Sequence, residues 1–218
     1  APRSIGVFCD GGYSDTIVVP HPRYLLGIGR LTPAEAAPYA CAGLTTFSAL
    51  KKVASVSADQ PIVIIGAGGL GLMCLTLLKA MGGKGAIVVD LADAKLEAAR
   101  NAGALATVNA GAPDVAAQIV KHTGGAPAAV IDFVGASATA KLGTDMLAKG
   151  GKYVIVGLFG GDLNLALPLI PVRAISIIGS YVGTLTELEE LMALVQKAGP
   201  SGIPITKRPL EDANRTLD

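Results

Sequence analysis

Cysteine is sparse in this 218-residue chain, and charge of neither sign is in excess. The three cysteines, Cys9, Cys41 and Cys74, stand far apart with no Cys-x-x-Cys pair. They cannot all pair with one another, and so few exclude the disulfide framework of a small secreted domain; a cytoplasmic location fits best. Charged residues make up 16% of the chain, and 18 Lys and Arg against 17 Asp and Glu leave a net charge of +1. Without a dominant sign there is no electrostatic footprint for nucleic acid or an anionic membrane surface. A Gly-x-Ser-x-Gly elbow is missing and the two histidines have no triad partners near them, which argues against a Ser-His-Asp hydrolase. Internal repeats and low-complexity tracts are lacking too. The longest uncharged run, Gln60 to Leu78, is 19 residues but holds a proline and four glycines, so it reads as strand, turn and helix rather than a membrane span. The chain opens on Ala-Pro-Arg with no charged-then-apolar leader, and no targeting peptide is expected.

Apolar residues and glycine are plentiful. A hydrophobic share of 51% excludes disorder and supplies a sizeable core. Twenty-eight glycines among 218 residues is nearly double the ordinary ~7%, which points to many tight turns and close backbone approaches.

Residues 1–58 are rich in Pro and Tyr, with short apolar runs such as Thr16-Ile17-Val18-Val19 between turns. From Pro61 onward the pattern is regular. Apolar, β-branched runs at 62–65, 86–89, 129–133, 153–156 and 174–178, with a weaker one at 105–108, read as strands buried on both faces. Helical stretches at 70–81, 93–102, 114–122 and 136–147 lie between them. A last helix at 185–198 has Thr184 as N-cap and Glu187 as its capping-box partner. Strand–helix alternation of this kind predicts an α/β fold with a doubly wound parallel Rossmann sheet. The expected division is a β-rich segment over 1–58 and the Rossmann domain over 59–218.

The first strand runs into Gly66-Ala67-Gly68-Gly69-Leu70-Gly71, a Gly-x-Gly-x-x-Gly. In such a turn the first glycine reverses the chain, the second lets bare backbone approach a pyrophosphate, and the third lets the helix pack closely. The phosphate charge then meets the free N–H groups at the helix start, near Gly69 and Leu70. A second strand ends at Asp90, 19 residues after Gly71, where an acid accepts hydrogen bonds from the adenosine ribose. The alternative for Asp90 is a plain strand-terminating cap. A carboxylate about 4 Å from a 2′-phosphate would cost roughly 4 kcal/mol per charge pair at an effective dielectric of 20. The following residue is Leu91 rather than an arginine, so NAD is favoured over NADP. Lys95 is placed either beside the ribose or in solvent on the next helix.

These residues resemble the zinc-type alcohol dehydrogenases of the medium-chain dehydrogenase/reductase superfamily. The resemblance spans essentially the whole chain. It rests on the fingerprint, on Gly11-Gly12-Tyr13-Ser14-Asp15 before an apolar strand, and on Cys41-Ala42-Gly43-Leu44-Thr45-Thr46. It also rests on Val130-Ile131-Asp132-Phe133-Val134-Gly135, Val156-Gly157-Leu158-Phe159-Gly160-Gly161 and Ile178-Gly179-Ser180-Tyr181-Val182-Gly183. It implies reversible hydride transfer between an alcohol and NAD, with Zn²⁺ as Lewis acid and Cys41 as one zinc ligand. It implies Thr45 near the nicotinamide, Val134 and Gly135 under the adenosine side, and Leu158 and Phe159 beside the nicotinamide ribose. Ser180, Tyr181 and Val182 would meet the carboxamide. Read without the resemblance, Leu158 and Phe159 are ordinary core.

The resemblance further implies that residues 1–58 are the last part of a catalytic domain whose other zinc ligands and proton relay lie upstream. Cys9, His21, Cys74 and His122 show no metal-ligand spacing; Cys74 reads as a small core residue. The chain also stops short of the family's final strand and helix, so NAD binding is expected to be weak and turnover of alcohol by this chain alone is not expected. Partners are a small alcohol, aldehyde or ketone and, through an apolar edge strand at 174–178, a second copy giving a dimer or tetramer. Competing readings are a zinc-free quinone or enoyl reductase of the same superfamily, a non-catalytic NAD-binding module and, on the glycine turn alone, an S-adenosylmethionine methyltransferase.

Overall fold

The computed structural model describes residues 5–199 and 205–217. The opening Ala-Pro-Arg and the final Asp218 lie outside them. The order of elements is α1 (Pro33–Ala36), α2 (Ala42–Ser57), β1 (Ile62–Ile65), α3 (Gly69–Ala80), β2 (Ala86–Asp90), α4 (Asp93–Asn101), β3 (Ala106–Asn109) and α5 (Val115–Thr123). There follow β4 (Ala129–Asp132), α6 (Ser137–Met146), β5 (Lys152–Ile155), α7 (Leu169–Arg173), β6 (Ser176–Gly179), α8 (Leu185–Ala198) and α9 (Ala213–Leu217).

All six strands pair in parallel, in the order β3-β2-β1-β4-β5-β6. The chain starts in the middle, winds outward to β3, then crosses back and winds outward to β6. The direction reverses between β1 and β4, and such a switch point is where open α/β sheets leave a crevice at their carboxyl ends. Register brings Ile65 level with Val89 on one side and with Asp132 on the other, so β1, β2 and β4 end together.

Strands without a polar face form here because both sides are covered. Ile62 and Ile64 join Leu50, Val53, Leu77 and Leu191 in one core layer; Val63 and Ile65 join Ile119, Met146 and Tyr153 in the other. Alternate side chains of one strand thus feed two cores, each roofed by helices.

The main difference from expectation lies before β1. The described residues of the segment expected to be β-rich carry no strand beyond a single bridge between Ile5 and Cys9, and 16–19 join no strand. Instead α2 runs for 16 residues and is buried almost all round its first half, from Gly43 to Leu50. A helix with no polar face lacks the amphipathic period that announces helices in a sequence. It packs in the same core as β1, although it lies on the other side of the division expected at 58/59. The last strand begins two residues later than expected, because Ala174 takes a left-handed turn (φ 50°) that ends α7. Arg173 just before it donates to the carbonyls of Thr144, Asp145 and Leu147, closing the carboxyl end of α6. Strand β6 is an edge, with Ser176, Ile177 and Gly179 exposed.

Candidate functional site

The crevice is built first by the turn after β1. Gly66 has φ +99°, a conformation that side chains rarely adopt, and its N–H donates to Val89 O at 2.8 Å. Helix α3 then starts directly on this turn: a Cβ on Gly71 would stand 2.0 Å from Gly66 O. Gly68 and Gly69, by contrast, have nothing within 4 Å of where a Cβ would lie. Gly68 is the N-cap of α3, with no capping side chain and no acid in the first turn. The helix therefore presents bare N–H groups and its positive end to open space.

Asp90 closes β2 beside this turn. Its Oδ2 accepts from Ala67 N–H at 2.8 Å and its Oδ1 from Ala92 N–H at 3.0 Å. The carboxylate is pinned by two backbone donors, one of them inside the glycine turn, and each oxygen keeps a further lone pair.

On the other side, β4 ends in Asp132, which is fully buried. Its Oδ1 accepts from the N–H groups of Val134 and Gly135 (2.8 and 2.9 Å), and its Oδ2 from the Tyr153 hydroxyl (2.6 Å). Burial above all, then the hydrogen bond to Asp132 and its charge, push the Tyr153 phenol far up, so Tyr153 is the donor. Two turns nest here without spare room: a Cβ on Gly135 would lie 2.0 Å from Gly157 O, and one on Gly157 2.1 Å from the Val134 carbonyl carbon. Phe159 N–H donates to Val134 O and Gly160 N–H to Gly135 O, both at 3.1 Å.

A cleft of about 410 Å³ runs along this surface, lined by Gly66, Gly68, Gly69, Leu70, Gly71, Asp90, Lys95, Phe133, Val134, Leu158 and Phe159. It shares Gly66, Asp90, Lys95 and Val134 with an adjoining, more apolar hollow of about 510 Å³ reached past Leu91 and Ala92. A further apolar groove lies between α5 and α6; it shares Ala138 and Leu142 with the hollow but none of the residues that line the cleft.

Most of the residues expected at a dinucleotide are thus on one surface. Leu158 and Phe159 are 79% and 82% exposed, which excludes a core role and places them on the rim. The remaining expected residues lie outside the cleft walls. Gly135 is held behind it in the nested turns. Thr45, in the first turn of α2, is buried, and its N–H donates to Cys41 O at 2.9 Å. Beyond β6, Ser180 is buried, Tyr181 is exposed and Val182 is half-buried with φ +50°. The Ser180 hydroxyl oxygen is buried with no hydrogen-bond partner among the described residues.

The metal expectation has less behind it. Cys41 is exposed at the start of α2. Cys74 is buried, and burial pushes its thiol up, as suits an inert core residue. His21 accepts from Arg23 N–H through Nδ1, and His122 is exposed in the last turn of α5. No group of three or more His, Cys, Asp or Glu side chains able to hold a metal occurs among the described residues. A catalytic zinc takes three protein ligands, and the described residues do not supply such a set.

Residues 69–197, more than half of the chain, match the model of the family described as zinc-binding dehydrogenase. The chain belongs to the zinc-binding dehydrogenase family. Among relatives of this family, the NAD-dependent alcohol dehydrogenases of Sulfurisphaera tokodaii and Saccharolobus solfataricus are 42% and 40% identical to the whole chain. The chain spans 63% of the length of each. The alcohol dehydrogenase of Aeropyrum pernix superposes with a TM-score of 0.80 at 30% identity, over 98% of this chain and 62% of that one. The D-arabinose dehydrogenase of Sulfolobus solfataricus gives 0.85 at 29% identity, over 95% and 65%.

Several residues that shape this zinc-binding dehydrogenase cleft had no signal in the sequence. The Asp132–Tyr153 bond joins positions 21 apart, and nothing local marks it. Glu187 was read as a helix cap, which it is: its Oε2 accepts from the Thr184 N–H and hydroxyl. Burial of Glu187 works against its charge, but the Thr184 N–H, the Ser48 and Thr184 hydroxyls and the nearby Lys52 more than offset this and hold its carboxyl below its ordinary value. No helix among the described residues is long and apolar enough to cross a membrane.

Proposed function

We propose that the cleft binds NAD and that the protein is an NAD-dependent alcohol dehydrogenase, interconverting an alcohol with an aldehyde or ketone. The observation that carries this reading is the bare backbone at Gly68 and Gly69, open at the mouth of α3 and flanked by the fixed Asp90 carboxylate. A pyrophosphate fits the first and a ribose diol the second, and relatives named NAD-dependent alcohol dehydrogenase support the assignment. Bound NAD supplies the hydride acceptor at its nicotinamide ring.

The chain's own contribution is binding and orientation. The N–H groups at the start of α3 hold the pyrophosphate, and Asp90 holds the adenosine ribose while repelling a 2′-phosphate. Adenine takes the apolar hollow past Leu91, with Lys95 and Val134 on its walls. Gly135 keeps that wall in place through the nested turn. Leu158 and Phe159 cover the nicotinamide ribose and shed water from it. Ser180, Tyr181 and Val182 take the carboxamide, whose amide would satisfy the unpartnered Ser180 hydroxyl. Thr45 lies on the helix that leads from Cys41 to this end of the cleft. Zn²⁺ would be held by Cys41 together with ligands other than those described, and would supply a Lewis acid to the alcohol oxygen.

We further propose that the catalytic segment ends before α2, since α2 shares the core of the sheet, and that exposed β6 pairs with a second copy to give a dimer or tetramer in the cytoplasm. The test is titration of the chain with NADH, following nicotinamide fluorescence, with zinc measured on the same sample. Saturable enhancement reversed by NAD, but not by S-adenosylmethionine, is the expected result. No saturable signal at millimolar NADH would overturn the reading.

A further inference from the structure

The edge strand β3 reaches the adenosine end of the cleft through one side chain. Register sets Asn109, the last residue of β3, level with Asp90, the last of β2. The next residue, Ala110, donates its N–H to Asp90 O at 2.9 Å and lines the apolar hollow. Asn109 itself is half-buried behind that wall and lines neither the hollow nor the cleft.

Its amide is directed at the loop that follows Asp90. Nδ2 donates to Leu91 O at 3.3 Å and to Asp93 Oδ1 at 2.8 Å, while Oδ1 accepts from Gly111 N–H at 2.8 Å. A flipped amide would set its oxygen against a carbonyl and a carboxylate, so the partners fix its sense. The bond to Gly111, two residues on, is a local turn of the kind asparagine commonly makes. The other two are tertiary, spanning 18 and 16 residues. They grip the loop on both sides of Ala92, the N-cap of α4, which makes no side-chain cap bond of its own. Ala92 N–H in turn donates to Asp90 Oδ1 at 3.0 Å, and Ala67 N–H of the glycine turn to Oδ2 at 2.8 Å. One oxygen of that carboxylate is therefore aligned by the glycine turn, and the other by a loop that Asn109 holds in place.

We propose that Asn109 is a positioning residue for cofactor selection: by clamping the loop at Leu91 and Asp93 it keeps Asp90 aimed at the adenosine ribose, and so favours NAD over NADP. This rests on the NAD reading above and adds to it a group that acts through Asp90 from behind the wall. A free 2′-hydroxyl gains a charge-assisted bond from a well-aimed carboxylate, whereas a 2′-phosphate has no hydroxyl to donate. Loosening the loop therefore takes more from NADH than from NADPH.

The test titrates NADH and NADPH by calorimetry against the chain, its Asn109→Ala and Asn109→Ser variants, and Asn109→Ser combined with Asp90→Ala, with thermal melts alongside. Serine keeps a hydroxyl for Gly111 N–H but is too short to reach Leu91 and Asp93, so the local turn survives whatever Asn109→Ala does to stability. The expected result in both single variants is NADH weakened about tenfold, the scale of one charge-assisted hydrogen bond, with NADPH affinity within about twofold of the parent. With Asp90 already replaced by alanine, Asn109→Ser should leave the NADPH-to-NADH ratio where Asp90→Ala alone puts it, because the two act as one unit. A merely structural role would lower the melting temperature and weaken both dinucleotides alike. An unchanged ratio in the single variants, or a further tenfold shift on top of Asp90→Ala, overturns the proposal while leaving the NAD reading standing. A parent chain that binds neither dinucleotide overturns both.

Discussion

Two alanines in the glycine turn should have opposite effects. At Gly68 the backbone is φ −77°, ψ −165°, open to any residue, and a Cβ would meet nothing within 4 Å. Alanine there restricts the unfolded chain, a gain of about 0.4–1 kcal/mol, and is a poorer N-cap than glycine by a similar amount. Net stability should stay within about 1 kcal/mol, or roughly 2–4 °C in melting temperature for a chain of this size. The same methyl would stand where the pyrophosphate has to approach. A phosphate oxygen pushed off the N–H groups of α3 forfeits at least one charge-assisted bond, so NADH affinity should fall tenfold or more, on the order of 1.5–3 kcal/mol.

At Gly71 the Cβ would sit 2.0 Å from Gly66 O and 3.0 Å from Gly66 C, both of them backbone. No rotamer relieves that contact, and α3 must lift by about an ångström while Met73, Leu75, Leu77 and Leu78 keep their places in the core. Overpacking of this kind costs about 1–3 kcal/mol, and the melting temperature should drop by roughly 2–12 °C. Differential scanning calorimetry and NADH titration on the two variants give the test. If Gly68→Ala binds NADH like the parent, or Gly71→Ala melts with the parent, the division of labour assigned to these glycines is wrong.

Three further outcomes follow from the same geometry. Tyr153→Phe removes a donor from the buried Asp132 carboxylate and should lower unfolding free energy by about 1.5–3 kcal/mol, read from the urea midpoint at unchanged slope. Asp90→Ala takes the acceptor from Ala67 and Ala92 N–H and the charge from the ribose site, so NADH binding should weaken while the NADPH-to-NADH affinity ratio rises; an unchanged ratio would count against Asp90 as the selecting group. Glu35, through the Thr32 N–H and hydroxyl, and Glu187 both have carboxyls held below the ordinary 4.5. A depressed acid contributes stability that is present above its unfolded value and is lost as pH falls through its folded one. Melting temperature should therefore decline below about pH 4.5, and Glu187→Gln should flatten part of that decline.

The sheet was legible because its strands are short, apolar and β-branched, and because Gly66 to Gly71 punctuates the first crossover. Strand β1 and helix α8 have the bounds their patterns predict, and the remaining strands differ by one or two residues at their ends. Helix α2 left no such trace, since its inner half is buried on every side and its Thr, Ser and Val residues carry no helical bias. For the site, Asp90 could be anticipated from its spacing, whereas its bond to Ala67 could not. Asp132 with Tyr153 is a pairing created by tertiary contact between residues 21 apart in sequence. Their side chains read locally as a strand end and a strand residue.

The nested turns at Gly135 and Gly157 bear on any attempt to redesign the mouth of the cleft. With carbonyl seated on Cα and no methyl tolerated on either, these two positions behave like the halves of a keyed joint, and substitution libraries are wasted there. Immediately downstream, Leu158 and Phe159 project almost wholly into solvent and can change size or polarity without disturbing that joint. Variation in what the rim admits is therefore most readily gained one step beyond the lock.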